Sequence, residues 1–389
     1  MVSSQSTIDE IQKSALLLAP GQWAGHMRIY QRESKSLLEA GYSVDLIAHP
    51  FLSDILDPRI RLHSLGSLPK DSYSWKILQR LERSTRTYNS ALSIKADLLH
   101  FFSPEFIPWA VNLKKRKQVP LIFDCMEDFE SYVLQRKGIP EKAKPILSLI
   151  TRKLLEYGAR NSDAMIFSDI GTSKKFANIA KRSVVIHNFP DLRLFNPKIK
   201  YNVKKDFDLV FNGGVYSIFL TQCFHIDEEL VNRGYKLKWL FFGLVPVEKW
   251  VKDQLVTRNL TDRFIFNGLV SQEKVAEKIS QAKIGIIPLP DTPKYRNNIP
   301  QKLFEFMSMG LPVVMSDLPP SRNLIDHKEC AILVKPDDYC QFAENIISLL
   351  ENRKYFNEFA SKGRYLVLNE FNWQKESIKL LHLYEELLN

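Results

Sequence analysis

The chain has 389 residues, with 54 lysines and arginines against 44 aspartates and glutamates, a formal charge of +10. That length exceeds one ordinary hydrophobic core, so two domains are expected. A composition of 45% apolar and 25% charged residues is that of a soluble globular protein, and the lack of any apolar run near about eighteen residues excludes a transmembrane helix.

Short apolar runs alternate with amphipathic stretches from end to end, which predicts parallel sheets with crossover helices. In the first half the predicted strands are 15–19, 43–48, 98–102, 121–124, 164–168 and 184–187. A helix over 27–40 places Met27, Tyr30, Ser34, Leu37 and Leu38 on one face and ends at Gly41. The stretch 52–88 is less regular and reads as a loop followed by a helix. Between Asn188 and Asp206 the pattern breaks at Pro190, Pro197 and a lysine-rich segment, the mark of a linker. The second half restarts with strands at 208–211, 238–242, 263–266, 284–288, 313–316 and 331–334. A final helix over 373–388 carries Ile378, Leu381, Tyr384 and Leu388 near one face. The resulting division is a first domain over 1–190, a linker over 191–206, a second domain over 207–370 and a closing helix over 371–389 that packs back on the first domain.

Met1 to Lys13 are polar and lack the apolar segment of a signal peptide. Cys125, Cys223, Cys330 and Cys340 are scattered, with no metal-ligand spacing, which suits a reducing cytoplasm. The positive surplus favours anionic partners. Lys114-Lys115-Arg116-Lys117 reads as a solvated loop. Arg136, Lys137, Lys142, Lys144, Arg152 and Lys153 flank the apolar positions Ile146, Leu147, Leu149, Ile150, Leu154 and Leu155, which leaves an anionic bilayer surface open as a peripheral site. Nucleic acid is not expected, because no aromatic-interleaved basic motif is present.

Ligands of open parallel sheets bind beyond the carboxyl ends of the strands. After the first strand comes Pro20-Gly21-Gln22-Trp23-Ala24-Gly25-His26-Met27-Arg28, which lacks the glycine spacing of a dinucleotide fingerprint. After the third and fourth predicted runs come Ser103-Pro104-Glu105 and Asp124-Cys125-Met126-Glu127-Asp128; carboxylates behind an apolar strand need water or hydrogen bonds, so they suggest a cleft. Asn212-Gly213-Gly214 lets the backbone approach a pyrophosphate. The most informative stretch runs from Asn297 to Val314. Pro300 stands at a helix start, Leu303, Phe304 and Met307 fall at core spacing, Gln301, Glu305 and Ser308 form a polar stripe, and Gly310 with Pro312 ends the helix. Free N–H groups at such a start can hold phosphate, and Glu305 can accept from sugar hydroxyls.

Taken in order, these segments resemble the retaining glycosyltransferases of family 4. The resemblance rests on the first-strand loop with Arg28, on Asp97-Leu98-Leu99-His100 with Pro104-Glu105, on 124–128, and on Asn188-Phe189-Pro190-Asp191. It continues through Gly213-Gly214, Phe266-Asn267-Gly268-Leu269-Val270, Lys302-Leu303-Phe304-Glu305, Gly310 to Val314, and the last helix with Trp373 and Tyr384. It implies a GT-B architecture, an α/β fold of two Rossmann-like, doubly wound parallel-sheet domains with the last helix crossing back. It also implies a donor site in which Glu305 binds ribose hydroxyls, backbone N–H groups near Leu303 and Phe304 meet the diphosphate, and Gly213 and Gly214 face it. Gly268, Leu269 and Val270 would wall the base, with Asn298, Ile299 and Pro300 completing the loop. Gly25, His26, Arg28, Glu105, Met126 and Asp128 would lie on the acceptor side.

Three positions depart from the family pattern. Asn297 replaces the first of the paired glutamates, Met126 stands where histidine is common, and 215–220 lacks the usual base after the glycine turn. Diphosphate charge then falls to Lys294, Arg296 or Lys302, or to the helix N–H groups. The candidate catalytic set is Asn297, Glu305, Glu127 and His100. The expected function is transfer of a sugar, with retention, from a nucleoside diphosphate donor to a glycan or lipid-linked glycan in bacterial surface polysaccharide synthesis, without a protein-bound metal or other cofactor. The alternatives are a GT-B nucleotide-sugar epimerase or hydrolase using Glu127, Asp128 or His100, and a degenerate transferase kept as a scaffold.

Overall fold

The computed structural model describes residues 12–50, 56–67, 77–136, 138–196, 204–245, 248–293, 295–325 and 328–389. They fall into two compact units, Met1–His187 with Ser377–Asn389, and Asn188–Glu376.

The first unit is built on seven parallel strands: β1 Ser14–Trp23, β2 Ser43–His49, β3 Arg61–Ser64, β4 Leu98–Phe101, β5 Leu121–Cys125, β6 Ala164–Phe167 and β7 Ser183–Val185, in the order β3-β2-β1-β4-β5-β6-β7. Each of the six strand runs expected in this half is present. The seventh, β3, lay inside the stretch read as irregular. It is a four-residue edge strand, Arg61-Leu62-His63-Ser64, too short and polar to show as an apolar run. What fixes it is Asp45 of β2, whose carboxylate accepts from Arg61 Nη2 at 2.5 Å and lies 2.7 Å from His63 Nε2. β1 also runs on past 19, through a register irregularity, so that Trp23 pairs with His49. The turn that opens the helix is therefore 24–26, later than the glycine loop suggested.

That helix departs from amphipathic expectation. Its first part, Met27–Ser34, is π-helical and continues as an α-helix over Lys35–Glu39. Every residue from Arg28 to Ser34 is buried. Polar side chains thus go inward together with Ile29 and Tyr30, and the charges must neutralise one another inside the unit. The run Lys114–Lys117 is the last turn of the helix Ile107–Lys117 and not a loop. Lys114 donates to Asn161 O and Asp163, and Lys117 to Leu92 O and Ile94 O.

The second unit has six parallel strands: β8 Phe207–Asn212, β9 Trp239–Phe242, β10 Phe264–Phe266, β11 Ala282–Ile287, β12 Val313–Ser316 and β13 Ile332–Val334, in the order β10-β9-β8-β11-β12-β13. All six were legible as apolar runs. The segment expected as a linker is packed as far as Asn196: Asp191 is buried and receives Arg193 and Gln374. The buried Phe195 offers its carbonyl to Ser308 Oγ at 2.6 Å. Ser308 therefore leaves the expected polar stripe and becomes an internal anchor.

The last helix, Trp373–Leu388, buries Leu380, Leu383 and Tyr384, while Ile378 is 65% exposed. Apolar residues surround this helix, so periodicity alone leaves its inward face open. The Tyr384 hydroxyl, bonded to His100 Nδ1 at 2.8 Å, selects it. Among the described residues no helix is long and apolar enough to cross a membrane.

Candidate functional site

In each unit the sheet order reverses direction at one point, between β1 and β4 and between β8 and β11. Such switch points open a crevice at the carboxyl ends of the strands.

In the second unit, three turns stand side by side at this edge. Gly213 N–H donates to Phe242 O at 3.0 Å, Gly243 N–H to Gly268 O at 2.7 Å, and Val215 N–H to Leu244 O at 2.8 Å. Gly213 has φ +103° and Gly243 has φ +125°, backbone states that L side chains rarely adopt. A Cβ on Gly243 would stand 1.9 Å from Gly213 O. Gly243→Ala is therefore expected to destabilise this unit by about 2–4 kcal/mol and to displace the Gly213 turn, read as a lowered urea midpoint.

The helix Gln301–Ser308 starts directly after Pro300, whose ring costs no hydrogen bond there. Leu303, Phe304, Phe306 and Met307 sink into the core, and Phe304 packs edge-on against Phe189 with centroids 4.6 Å apart. This anchorage fixes the remaining face. Glu305 accepts from Asn212 Nδ2 at 2.8 Å. Lys302 Nζ lies 3.7 Å from the Phe211 ring centroid and 5.8 Å from that of Phe219, and 3.7 Å from the point a Gly213 Cβ would occupy. Burial pushes the Lys302 ammonium down to about 8, against the opposing pull of Glu305 and Cys223. Asn212, Gly213, Gly243, Lys302, Glu305 and the helix start thus form one polar corner, with a cation where β8 ends.

The rest of the expected donor loop is more dispersed. Leu269 is 75% exposed, while Val270 and Ile299 pack partly on the core. Gly268 turns beside Gly243, and Asn298 is exposed. Asn297 Nδ2 donates to Pro293 O at 3.3 Å. Arg296 is held by Asp291 through contacts of 2.5 and 2.8 Å, so its charge is already matched. Lys294 lies outside the described residues. Gly214 has no room for a side chain because Tyr216 closes over it.

The acceptor-side candidates divide into two groups. At the β1/β4 switch point Glu105 sits 3.6 Å from the position of a Gly21 Cβ and pairs with Arg80 at 3.3 Å. Glu127 is exposed and Met126 half-buried, the Met126 carbonyl accepting from Ser168. Asp128, expected here, also caps a helix: it accepts from Ser131 N and Oγ and from Lys175 Nζ. Gly25 lies in the 24–26 turn. His26, next to it, has its pKa lowered to about 4 by burial and by the charges of Arg32 and Arg28, so it is neutral at working pH.

Arg28 and His100 prove to be interior groups. Arg28 Nε meets Asp124 Oδ2 at 2.6 Å and Glu33 Oε1 at 3.0 Å, and its Nη1 donates to Ile186 O at 3.0 Å. His100 is 0% exposed, with Nε2 3.8 Å from Glu33 Oε2. Burial, reinforced by Arg28, holds its pKa well below the ordinary imidazole value. Neither side chain reaches a surface where substrate could touch it, and the roles expected for them on the acceptor side and in catalysis are withdrawn. Glu33, His100 and Asp124 bring ligand atoms within 4.8 Å of one another, but the Arg28 guanidinium already contacts both carboxylates.

Sequence reasoning missed the tie of the Asn212 side chain to Glu305, and it missed Gly243 and Glu33. Asn212 and Gly243 follow apolar strand runs, and the rule that singled out Gly213 applies equally to them. Glu33 gave no signal, since a glutamate in a helical pattern reads as exposed.

These two doubly wound units define the GT-B class of glycosyltransferase folds. Sucrose-phosphate synthase from Thermosynechococcus elongatus superposes with a TM-score of 0.73 at 18% identity, covering 97% of this chain and 99% of that one. HepE from Anabaena, solved in complex with UDP-glucose, gives 0.66 at 15% identity over 96% and 99%. Residues 216–352 match the family model described as Glycosyl transferases group 1. A curated relative, 2-deoxystreptamine N-acetyl-D-glucosaminyltransferase of Niallia circulans, is 21% identical over 146 residues, 38% of this chain and 36% of that protein. The sequence match thus spans about a third of that relative. The chain has the GT-B fold, and within its second unit residues 216–352 match the glycosyltransferase group 1 model.

Proposed function

We propose that the chain is a retaining glycosyltransferase that moves a sugar from a nucleoside diphosphate to a hydroxyl of a glycan or lipid-linked glycan in surface polysaccharide synthesis. The observation that carries this reading is the polar corner of the second unit. A carboxylate (Glu305) oriented by Asn212 supplies acceptors for a ribose diol, and Lys302 with the helix start supplies positive charge beside a glycine turn that lets a diphosphate approach. Leu269, exposed next to Gly268, would cover a base. The UDP-glucose complex of HepE makes a UDP-sugar the first donor to try.

Such a site does its work by positioning and by stabilising the leaving group. The C1–O bond to the diphosphate breaks, and the acceptor oxygen attaches to C1 on the same face. The acceptor proton passes to the departing phosphate oxygen, so no side-chain base is required. Lys302 and the helix N–H groups meet the charge that develops on the diphosphate. Asn297 offers a neutral amide where the family has a carboxylate, and it can exchange hydrogen bonds with sugar hydroxyls.

Calorimetry with UDP, GDP and ADP, followed by turnover of the corresponding sugar donors, tests this reading. One of the diphosphates is expected to bind, and Glu305→Ala to weaken it about 100-fold, the worth of two hydrogen bonds to a charged acceptor. Glu305→Gln should recover part of the loss. Equal binding by wild type and Glu305→Ala would remove Glu305 from the site, and no measurable binding of any of the three diphosphates would favour the degenerate-transferase alternative.

A further inference from the structure

The helix Lys144–Asn161 of the first unit is apolar on both sides. Its inner face, Ser148, Leu155, Gly158 and Ala159, is buried; Gly158 lies so close to Ile107 that a Cβ would meet that side chain at 2.9 Å. That packing fixes the helix rotation and leaves Ile146, Leu149 and Ile150 turned outward at 63%, 56% and 56% exposure, with Tyr157 at 44%. Leu134, on the adjoining helix Phe129–Gln135, is 43% exposed as well. Three β-branched or leucine side chains standing in water within two helical turns are costly to a free surface.

The surrounding charge says what covers them. Lys142 precedes the helix, and Arg152, Lys153 and Arg160, all exposed, follow the apolar turns. The two acidic residues of the stretch offset part of that charge, and Glu141 is exposed while its partner Lys144 is largely covered. Glu156 is held between Arg152 and Lys153 at 3.2 and 3.0 Å, and Glu141 by Lys144 at 2.5 Å. The face is therefore apolar at its centre and cationic at its edges, the pattern of an interfacial helix. Residues 141–160 keep five basic side chains against two acidic ones, a positive surplus that suits an anionic surface.

We propose that this face seats the protein on an anionic lipid bilayer. Ile146, Leu149 and Ile150 enter the headgroup–acyl boundary, while Arg152, Lys153 and Lys142 meet lipid phosphates. The chain associates with one leaflet and does not span it. This inference does not depend on the donor site.

The test is co-sedimentation of the full chain with phosphatidylcholine vesicles, alone or with about a third phosphatidylglycerol. Binding is expected to the mixed vesicles, to be far weaker on neutral ones, and to fall steeply between low and high salt. Ile150→Glu and the pair Ile146→Glu/Leu149→Glu should each lower partitioning about tenfold or more, with melting temperature unchanged because these side chains are exposed. Arg152→Ala with Lys153→Ala should weaken binding and flatten its salt dependence. Failure to bind, equal binding to both vesicles, or glutamate variants that bind like wild type would overturn the proposal. So would self-association of the free chain that Ile150→Glu abolishes, since that assigns the face to a second copy.

Discussion

Exchange of Lys302 for methionine is expected to lower nucleoside diphosphate affinity about 100-fold or more while leaving the protein as stable as before, or up to about 2 kcal/mol more stable. The two effects have one cause. The ammonium sits over Phe211 at 3.7 Å beside the Gly213 turn, away from most of the water that would solvate it. Burial lowers its pKa from 10.5 to about 8. Contact with the ring and with Glu305 returns only part of that cost, of order 1–2 kcal/mol for the cation–π term. A charge kept at such a disadvantage is useful when a dianionic group arrives, because the same low dielectric then strengthens the attraction. The pH dependence follows. Free protein loses the Lys302 proton above about pH 8, while the diphosphate complex retains it. Affinity should be level up to roughly pH 7.5 and then fall, approaching tenfold per pH unit, until the bound lysine itself titrates. The diphosphate of a nucleotide-sugar donor, used as the ligand here, has no proton that titrates in that range and adds no slope. Calorimetry from pH 7 to 9.5 on wild type and Lys302→Met reads both results. A flat wild-type profile, or methionine binding like lysine, would take Lys302 out of the diphosphate contact.

The distribution of what could be read from sequence has a physical basis. Strands buried on both faces appear as continuous apolar runs, so twelve of the thirteen were visible; β3 failed because an edge strand can be polar, here Arg61 and His63 turned toward Asp45. The helix Gln301–Ser308 was legible to its ends, since proline at its start and Gly310 after its end are local punctuation. Pairings between distant segments were not. Nothing near position 33 announces that Glu33 faces Asp124, or that Ser308 is spent on Phe195 O. The rule that ligands gather at strand ends located Gly213, Glu105 and Glu127 correctly at such ends. It misassigned Arg28 and His100, because a polar residue near a strand end can turn into the interior as easily as toward solvent. Asp128 has a local role that the strand-end rule does not give: three residues before Ser131 it is the natural N-cap.

Replacing Arg28 by methionine is expected to cost the first unit about 3–5 kcal/mol, the usual penalty for removing one partner of a buried ion group. A single guanidinium serves Asp124 at 2.6 Å and Glu33 at 3.0 Å, and all three side chains are at most 2% exposed. Without it, two carboxyls would share a water-free interior with Arg32 and a neutral His100. Glu33 is the group that can yield. Burial first, and then the charge of Asp124, raise its pKa well above 4.5, while Arg28 pulls the other way. Because the folded state holds this proton more tightly than the unfolded chain, Glu33 adds stability at low pH that is lost as pH rises above 4.5 toward the folded value. His100 acts in the opposite sense. Its folded pKa is depressed below 6.5 by burial and by Arg28, so stability is lost as pH falls through and below that ordinary value. The two together favour a maximum between these ordinary values. Glu33→Gln removes the high-pH loss, and its amide can still donate to Asp124. Added to Arg28→Met, it should recover about half of the lost stability or more, because it removes one of the two charges that the guanidinium compensated. Urea unfolding of the single and double variants at pH 5, 6.5 and 8 measures this. An Arg28→Met protein within about 1 kcal/mol of wild type, or a double variant no better than the single, would mean that the cluster is hydrated and that its charges are not what holds Met27–Ser34 in place.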